Sequence, residues 1–244
     1  MDLTGKRALV TGAAKRVGRA IALELAGAGC DVAVHYWSSE DEAVGLREQI
    51  TAVGRRCCLV RGDLGDPDTP GRLVDETVAA LGGLDILVNN ASVFGRMALE
   101  DFDPGEWERD LRVNLTAVAG MCHHARAHLL EGAGGKIVNL CDIAAERPWK
   151  GHLAYCVSKA GIVCLTKALA RELAPKVQVN GVAPGIAVFP EYYDEATRQA
   201  LIGRVPLKRA GSPVDVAATV RFLVERGDYI TGQIIPVDGG RSIV

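Results

Sequence analysis

Apolar positions along the chain fall into two alternating kinds of segment. Short, nearly continuous, β-branched runs occupy residues 7–10, 32–36, 57–61, 84–88, 136–140, 177–182 and 234–237, as expected of strands buried on both faces. Between them lie segments with helical spacing. The clearest spans residues 104–130, where Trp107, Leu111, Leu115, Val118, Cys122, Ala125 and Leu129 recur at steps of four and three and make one apolar stripe. Three helix starts are signalled by an N-cap residue with an acid three positions on: Asp103 with Glu106, Ser39 with Glu42, and Ser212 with Asp215.

Regular alternation of this kind predicts an α/β fold, a doubly wound, Rossmann-like, mostly parallel seven-stranded sheet with helices on both faces. Ligands of such sheets bind beyond the carboxyl ends of the strands. No linker, repeat or low-complexity tract interrupts the pattern, so residues 1–244 read as a single domain. Residues 186–204 break the rhythm. A substrate loop or lid and a packed connection are both open there.

Composition narrows the classes of partner. The chain has 244 residues, 48% of them hydrophobic and 24% charged, with a formal net charge of −2. That balance offers no basic face for nucleic acid. Seven cysteines, with Cys57 and Cys58 adjacent, do not suggest a disulfide framework and fit a reducing, cytoplasmic setting. No CxxC or HExxH spacing occurs, and His123-His124 alone is a weak metal signal, so no metal is expected. The N-terminus has no signal-peptide core, and no unbroken run of ~20 apolar residues suggests a membrane span.

The first strand runs into Thr11-Gly12-Ala13-Ala14-Lys15-Arg16-Val17-Gly18 and then an apolar helix. A glycine-bearing turn at a helix N-terminus can receive a pyrophosphate, although an ordinary strand-to-helix turn has the same outline. Arg16 stands where a third glycine is common. The second strand ends at His35-Tyr36, followed by Trp37 and Ser38, without the acid that would bind a ribose hydroxyl and repel a 2′-phosphate. With Lys15, Arg16 and Ser38 nearby, this end of the site reads as favouring NADP(H). Glu40 and Asp41 fit the first turn of the next helix. Asp63, followed by Leu64, either bonds an adenine edge or serves a turn.

Tyr155 and Lys159 are four residues apart on an expected helix and share a face. A cation beside a phenol lowers its pKa and eases proton exchange. Taken with the 11–18 loop, the run Leu87 to Ser92 that includes Asn90 and Ala91, Asn114, Pro184-Gly185 with Ile186, and Val237 to Gly240, the chain resembles the short-chain dehydrogenase/reductase family over its whole length. The resemblance implies that Tyr155 donates the proton, Lys159 binds the nicotinamide ribose and tunes the tyrosine, and Asn114 helps hold a water-linked relay. A homotetramer is implied as well, with the helices around Asn114 and Tyr155 at one interface.

Where the family usually has a serine about thirteen positions before the tyrosine, this chain has Asp142. A carboxyl group with a raised pKa can protonate a ring nitrogen, which suits reduction of a C=N bond. Asp142, Lys15-Arg16, His35-Tyr36 and Ser92-Val93-Phe94 together resemble the pteridine reductase branch. That resemblance implies that Arg16 and Ser92 touch cofactor and pterin, that Phe94 stacks on a planar substrate opposite the nicotinamide, and that Trp149 lines the pocket. Phe189, Tyr192 and Tyr193 are candidate opposite walls. The rival expectation is a carbonyl reductase of the same family, acting on a 3-oxoacyl thioester or another ketone. A third, of another class, is a non-catalytic NADP-binding sensor.

Overall fold

The computed structural model describes residues 1–244. Seven strands, β1 (Arg7–Val10), β2 (Asp31–Tyr36), β3 (Cys57–Arg61), β4 (Ile86–Asn89), β5 (Lys136–Leu140), β6 (Gln178–Pro184) and β7 (Ile234–Val237), form one sheet in the order β3-β2-β1-β4-β5-β6-β7. Every pairing is parallel. The order reverses between β1 and β4, which opens a crevice beyond their carboxyl ends. Three strands differ in their limits from the sequence expectation: β2 begins one residue before 32, and β4 and β6 begin after 84 and 177 and end after 88 and 182. Leu84 and Val177 precede their strands and are apolar because they are buried in the core beneath the helices.

Successive strand residues face opposite layers. In β1, Ala8 and Val10 join one core cluster and Leu9 the other. Helices α1 (Arg16–Gly27), α2 (Glu40–Ala52) and α8 (Pro213–Glu225) close the first cluster through Ile21, Leu25, Leu46, Ile50 and Val220. The second lies under α3 (Thr69–Leu81), α5 (Ala117–Leu129) and α6 (Leu153–Leu173), which contribute Leu73, Met121, Leu129 and Ile162. By length and composition α6 could cross a membrane, but it packs along β6 and buries Lys159.

The long stripe at 104–130 is not one regular helix. A helix α4 (Pro104–Leu111) passes through a π-helical turn (Arg112–Thr116) into α5. Of the three expected caps, Asp103 accepts from the Glu106 amide at 2.8 Å and Ser212 forms a full capping box with Asp215. Ser39 makes no side-chain cap, its ψ of 63° lying outside the extended conformation that Asp103 and Ser212 adopt, and the Glu42 carboxylate pairs with the Lys15 ammonium at 2.6 Å instead of closing a capping box. A last helix, α7 (Glu195–Gly203), follows the irregular part of the 186–204 segment.

At the amino ends of the strands, opposite the crevice, Asp85 clamps β1 to β4. It accepts from the Arg7 amide at 2.9 Å, Arg7 Nε at 2.7 Å and Arg7 Nη2 at 3.0 Å. Charge-assisted bonds to a mostly buried carboxylate dominate its neighbourhood. Asp85→Ala is therefore expected to cost about 2–3 kcal/mol of unfolding free energy and to leave kcat unchanged. Denaturant melts alongside steady-state rates check this; a falling kcat at constant stability contradicts it.

Candidate active site

The turn after β1 is built around Thr11 and Gly12. Thr11 Oγ1 accepts from the amides of Asn90 (2.9 Å) and Ala91 (3.0 Å), while Asn90 Nδ2 donates to the carbonyls of Thr11 (2.8 Å) and Gly12 (3.0 Å). The ends of β1 and β4 are thus laced together across the topological switch. Gly12 has φ +60°, and a Cβ on Gly18 would lie 2.2 Å from the Gly12 carbonyl oxygen. Only glycine fits either position. Lys15 gives α1 no side-chain cap and no acid stands in the first turn, so the helix end keeps donors for an anion. Val17 follows Arg16 in this first turn. The residues present fit a dinucleotide pyrophosphate.

Arg16 adopts φ +52°, a left-handed conformation in which a side chain is strained. Its guanidinium lies 3.8 Å from Glu191, in the 186–204 segment. Lys15 is paired with Glu42, as above, so both cations expected to meet a 2′-phosphate have carboxylate neighbours. Sequence reasoning missed a third. Arg61, at the end of β3, lies over the exposed Trp37 ring at 5.6 Å, donates to the Trp37 carbonyl at 3.2 Å and faces Glu40 at 3.9 Å. Ser38 is exposed beside them, while Tyr36 is buried in the core.

His35 requires a correction as a cofactor contact. Its ring is buried with both nitrogens engaged: Nδ1 accepts from the Gly12 amide at 3.0 Å, and Nε2 faces the Gly62 carbonyl at 3.0 Å, to which it must donate. The side chain holds the glycine turn in place. Asp63 serves a turn, its Oδ1 accepting from the Gly65 amide at 2.8 Å, and Leu64 is buried. Gly185 packs against Asp238, and the carbonyl of Ile186 accepts from Gly211, so Pro184-Gly185-Ile186 forms a fixed edge of the crevice.

Burial pushes the His35 pKa from 6.5 down to about 4. Since the folded value lies below the unfolded one, the stability His35 gives is complete above pH 6.5 and is lost as pH falls from 6.5 to about 4. The expected loss is on the order of 3 kcal/mol, and urea melts at several pH values should show a smaller drop in His35→Asn. An identical pH dependence in the two proteins contradicts the assignment.

The chemical end lies beyond β5. Asp142 caps the short turn Ile143–Ala145, with Oδ1 accepting from the Ala144 amide at 2.8 Å and Oδ2 from the Tyr155 hydroxyl at 2.8 Å. Lys159, one turn along α6, donates to the Leu140 carbonyl at 2.9 Å and stands 5.6 Å from the Tyr155 ring centroid. Tyr155 and Lys159 are almost wholly buried. Burial raises the Asp142 pKa above the usual carboxylate range and lowers that of Lys159.

At Tyr155 the upward influences outweigh the lowering expected from Lys159. Burial first, and then the Asp142 carboxylate, push the phenol well above its ordinary 10. Charging a phenol beside a carboxylate in an apolar enclosure is costly in both respects. Tyr155 is held in its protonated form, its proton directed at Asp142.

An aromatic wall adjoins this pair. Phe94 stacks on His152 at 4.3 Å and 11° and meets Tyr155 edge-on at 4.8 Å; Trp149 lies nearly parallel to Tyr155 at 6.2 Å. Phe94 remains 42% exposed, so part of its ring is open to a planar ligand. The wall is assembled by a bridge between Met97 and His152, with His152 Nδ1 donating to the Gly95 carbonyl at 2.8 Å. Sequence reasoning did not find His152.

Asn114 occupies the π turn and fastens the same loop from the other side. Its Oδ1 accepts from Ser92 Oγ (3.0 Å) and the Val93 amide (2.8 Å), while Nδ2 donates to the Val93 carbonyl (3.0 Å) and Ser158 Oγ (3.2 Å). Ser92, Phe94, Asp142, Trp149, Tyr155 and Lys159 therefore converge. Phe189, Tyr192 and Tyr193 cluster with one another in the 186–204 segment.

Comparison with known proteins agrees with this geometry. The model of the enoyl-(acyl carrier protein) reductase family matches residues 12–242. The 3-oxoacyl-[acyl-carrier-protein] reductase FabG of Staphylococcus aureus is 37% identical over 239 residues, covering 96% of this chain and 97% of that protein. The 3beta-hydroxysteroid dehydrogenase 1 of Eggerthella lenta is 34% identical over 252 residues, 99% of this chain and 95% of its own length. Among solved structures, a blue fluorescent protein from a metagenomic library, in complex with NADPH, superposes with a TM-score of 0.92 at 32% identity and 99% coverage of both chains. With its seven-stranded sheet, its glycine turn and its Tyr155–Lys159 pair, the chain belongs to the short-chain dehydrogenase/reductase family.

Proposed function

We propose that the protein is an NADPH-dependent reductase of a planar nitrogen heterocycle, a pterin or dihydrofolate-like compound. The observation that carries the reading is the 2.8 Å bond from the Tyr155 hydroxyl to Asp142, in which burial holds both groups toward their protonated forms. NADPH, when bound, supplies the hydride. Tyr155 Oη gives its proton to the substrate nitrogen, and Asp142 is placed to replenish it or to donate directly. Lys159 holds positive charge beneath the phenol, Asn114 fixes the Ser92–Phe94 loop, and the open part of the Phe94 ring receives the flat substrate. Gly12, Gly18 and the uncapped start of α1 hold the pyrophosphate, with Lys15, Arg16, Ser38 and Arg61 at the 2′-phosphate.

The relatives favour a second reading. The FabG proteins are named as 3-oxoacyl-[acyl-carrier-protein] reductases, and Tyr155 with Lys159 would protonate a ketone oxygen equally well. A relative of similar identity is named for a steroid, so family membership alone does not fix the substrate. Conjunction of a donor tyrosine, a buried lysine and a carboxyl group of raised pKa argues against a non-catalytic sensor. The test is NADPH oxidation with dihydrobiopterin against an acetoacetyl thioester. Turnover of the pterin is expected; reduction of the thioester with no pterin turnover overturns the reading.

A further inference from the structure

The pocket has one cation that neither the catalytic pair nor the cofactor end employs. Arg241 lies in the short turn Arg241–Ile243 that follows β7. Asp238 fixes that turn, accepting from the amides of Gly240 at 2.9 Å and Ser242 at 2.6 Å, and Arg147 Nη1 donates to the Val244 carbonyl at 2.7 Å. The backbone is held rigidly.

The Arg241 guanidinium stands 5.6 Å from the centroid of the Trp149 ring, which itself lies nearly parallel to Tyr155 at 6.2 Å. Its side chain is half-buried and makes no hydrogen bond or salt bridge within the protein. Its guanidinium keeps up to five donors free of protein acceptors and within reach of solvent, where an anion from outside can replace water. Asp142 acts on its charge from the catalytic side, and Arg204 adds a second positive charge nearby. Asp238 also acts on it, but its carboxylate is committed to the amides of Gly240 and Ser242, so the guanidinium keeps its donors free, and a planar fork over an aromatic ring is suited to a carboxylate or phosphate.

We propose that Arg241 is a specificity-determining residue that binds an anionic group, carboxylate or phosphate, on the far end of the substrate from the reduced bond, with Trp149 as its platform. The assignment rests on this pocket being the reductase site, and not on whether the reduced bond is C=N or C=O. It makes the substrate class a planar or acyl compound bearing a negative charge.

The test compares substrates matched in their reacting bond. Dihydrofolate, which carries carboxylates, is set against dihydrobiopterin, which does not; acetoacetyl-coenzyme A is set against acetoacetyl-N-acetylcysteamine. In the wild type, kcat/KM is expected to favour the charged member of whichever pair is reduced by about ten-fold or more. Arg241→Met keeps the stem over Trp149 and should abolish that ratio by raising KM for the charged member, with Arg241→Lys partly restoring it. Turnover of the thioesters alone overturns the pterin reading and leaves the Arg241 test intact. If no pair is turned over, the same ratio is read as affinity from tryptophan quenching in the NADP⁺ complex. A wild type that does not distinguish the members, or an Arg241→Met variant that loses both equally, overturns the proposal.

Discussion

Tyr155→Phe is expected to lower kcat by about 10²–10³-fold while leaving KM for NADPH within about two-fold, the signature of losing a group used only in the transition state. The substitution keeps the ring against Phe94 and Trp149 and removes only the hydroxyl bonded to Asp142. Lys159→Ala should produce a comparable fall, and the double variant little more than either, because the two side chains serve one proton transfer. The raised phenol pKa adds a feature to the pH profile. On a thioester, whose ketone oxygen takes its proton from Tyr155 alone, a donor held protonated by burial should sustain reduction without a basic limb near neutrality. Near-wild-type kcat in Tyr155→Phe removes it from the chemistry, and a basic limb near neutrality restores the lysine-tuned phenolate.

Asp142→Ser is expected to separate the two substrate readings, because it exchanges a carboxyl group of raised pKa for a hydroxyl that only orients. On a pterin, kcat should fall by about 10²-fold, the usual size for a positioned acid. On an acetoacetyl thioester the same variant should hold or gain rate. Two effects underlie the gain: removal of the carboxylate relieves the upward pressure on the Tyr155 pKa, and it frees the phenol proton for the substrate oxygen. Steady-state rates for both substrates in both proteins decide the matter. Equal losses on pterin and thioester would show Asp142 acting on Tyr155 alone, without selecting the bond reduced.

The fold was legible because each β-branched run needs burial on two faces and each helix on one. That logic failed at Leu84 and Val177, whose burial is owed to the helices above them and not to the ladder. The reactive set was legible by spacing, since Tyr155 and Lys159 share a helix face and Asp142 stands at a fixed offset. What spacing could not show is which way a side chain turns. His35 looked like a nucleotide contact and is a buried brace; Lys15 looked free and is held by Glu42. Arg61, His152 and Arg241 matter through partners brought close only by the folded chain, as when Arg241 meets Trp149. No local pattern announces them.

The π turn at Arg112–Thr116 bears on how this helix tolerates changes in length. A wide turn accommodates one residue more than regular winding between the same two ends. Deleting any single residue there would let α4 run straight into α5, but each residue in an α-helix carries about 100° of rotation. Asn114 would swing away from Ser92 and Val93, and the loop bearing Phe94 would lose its anchor although every side chain in the pocket was still encoded. In this stretch the count of residues is under tighter constraint than their identity, so an insertion or deletion would silence the site where many substitutions would not.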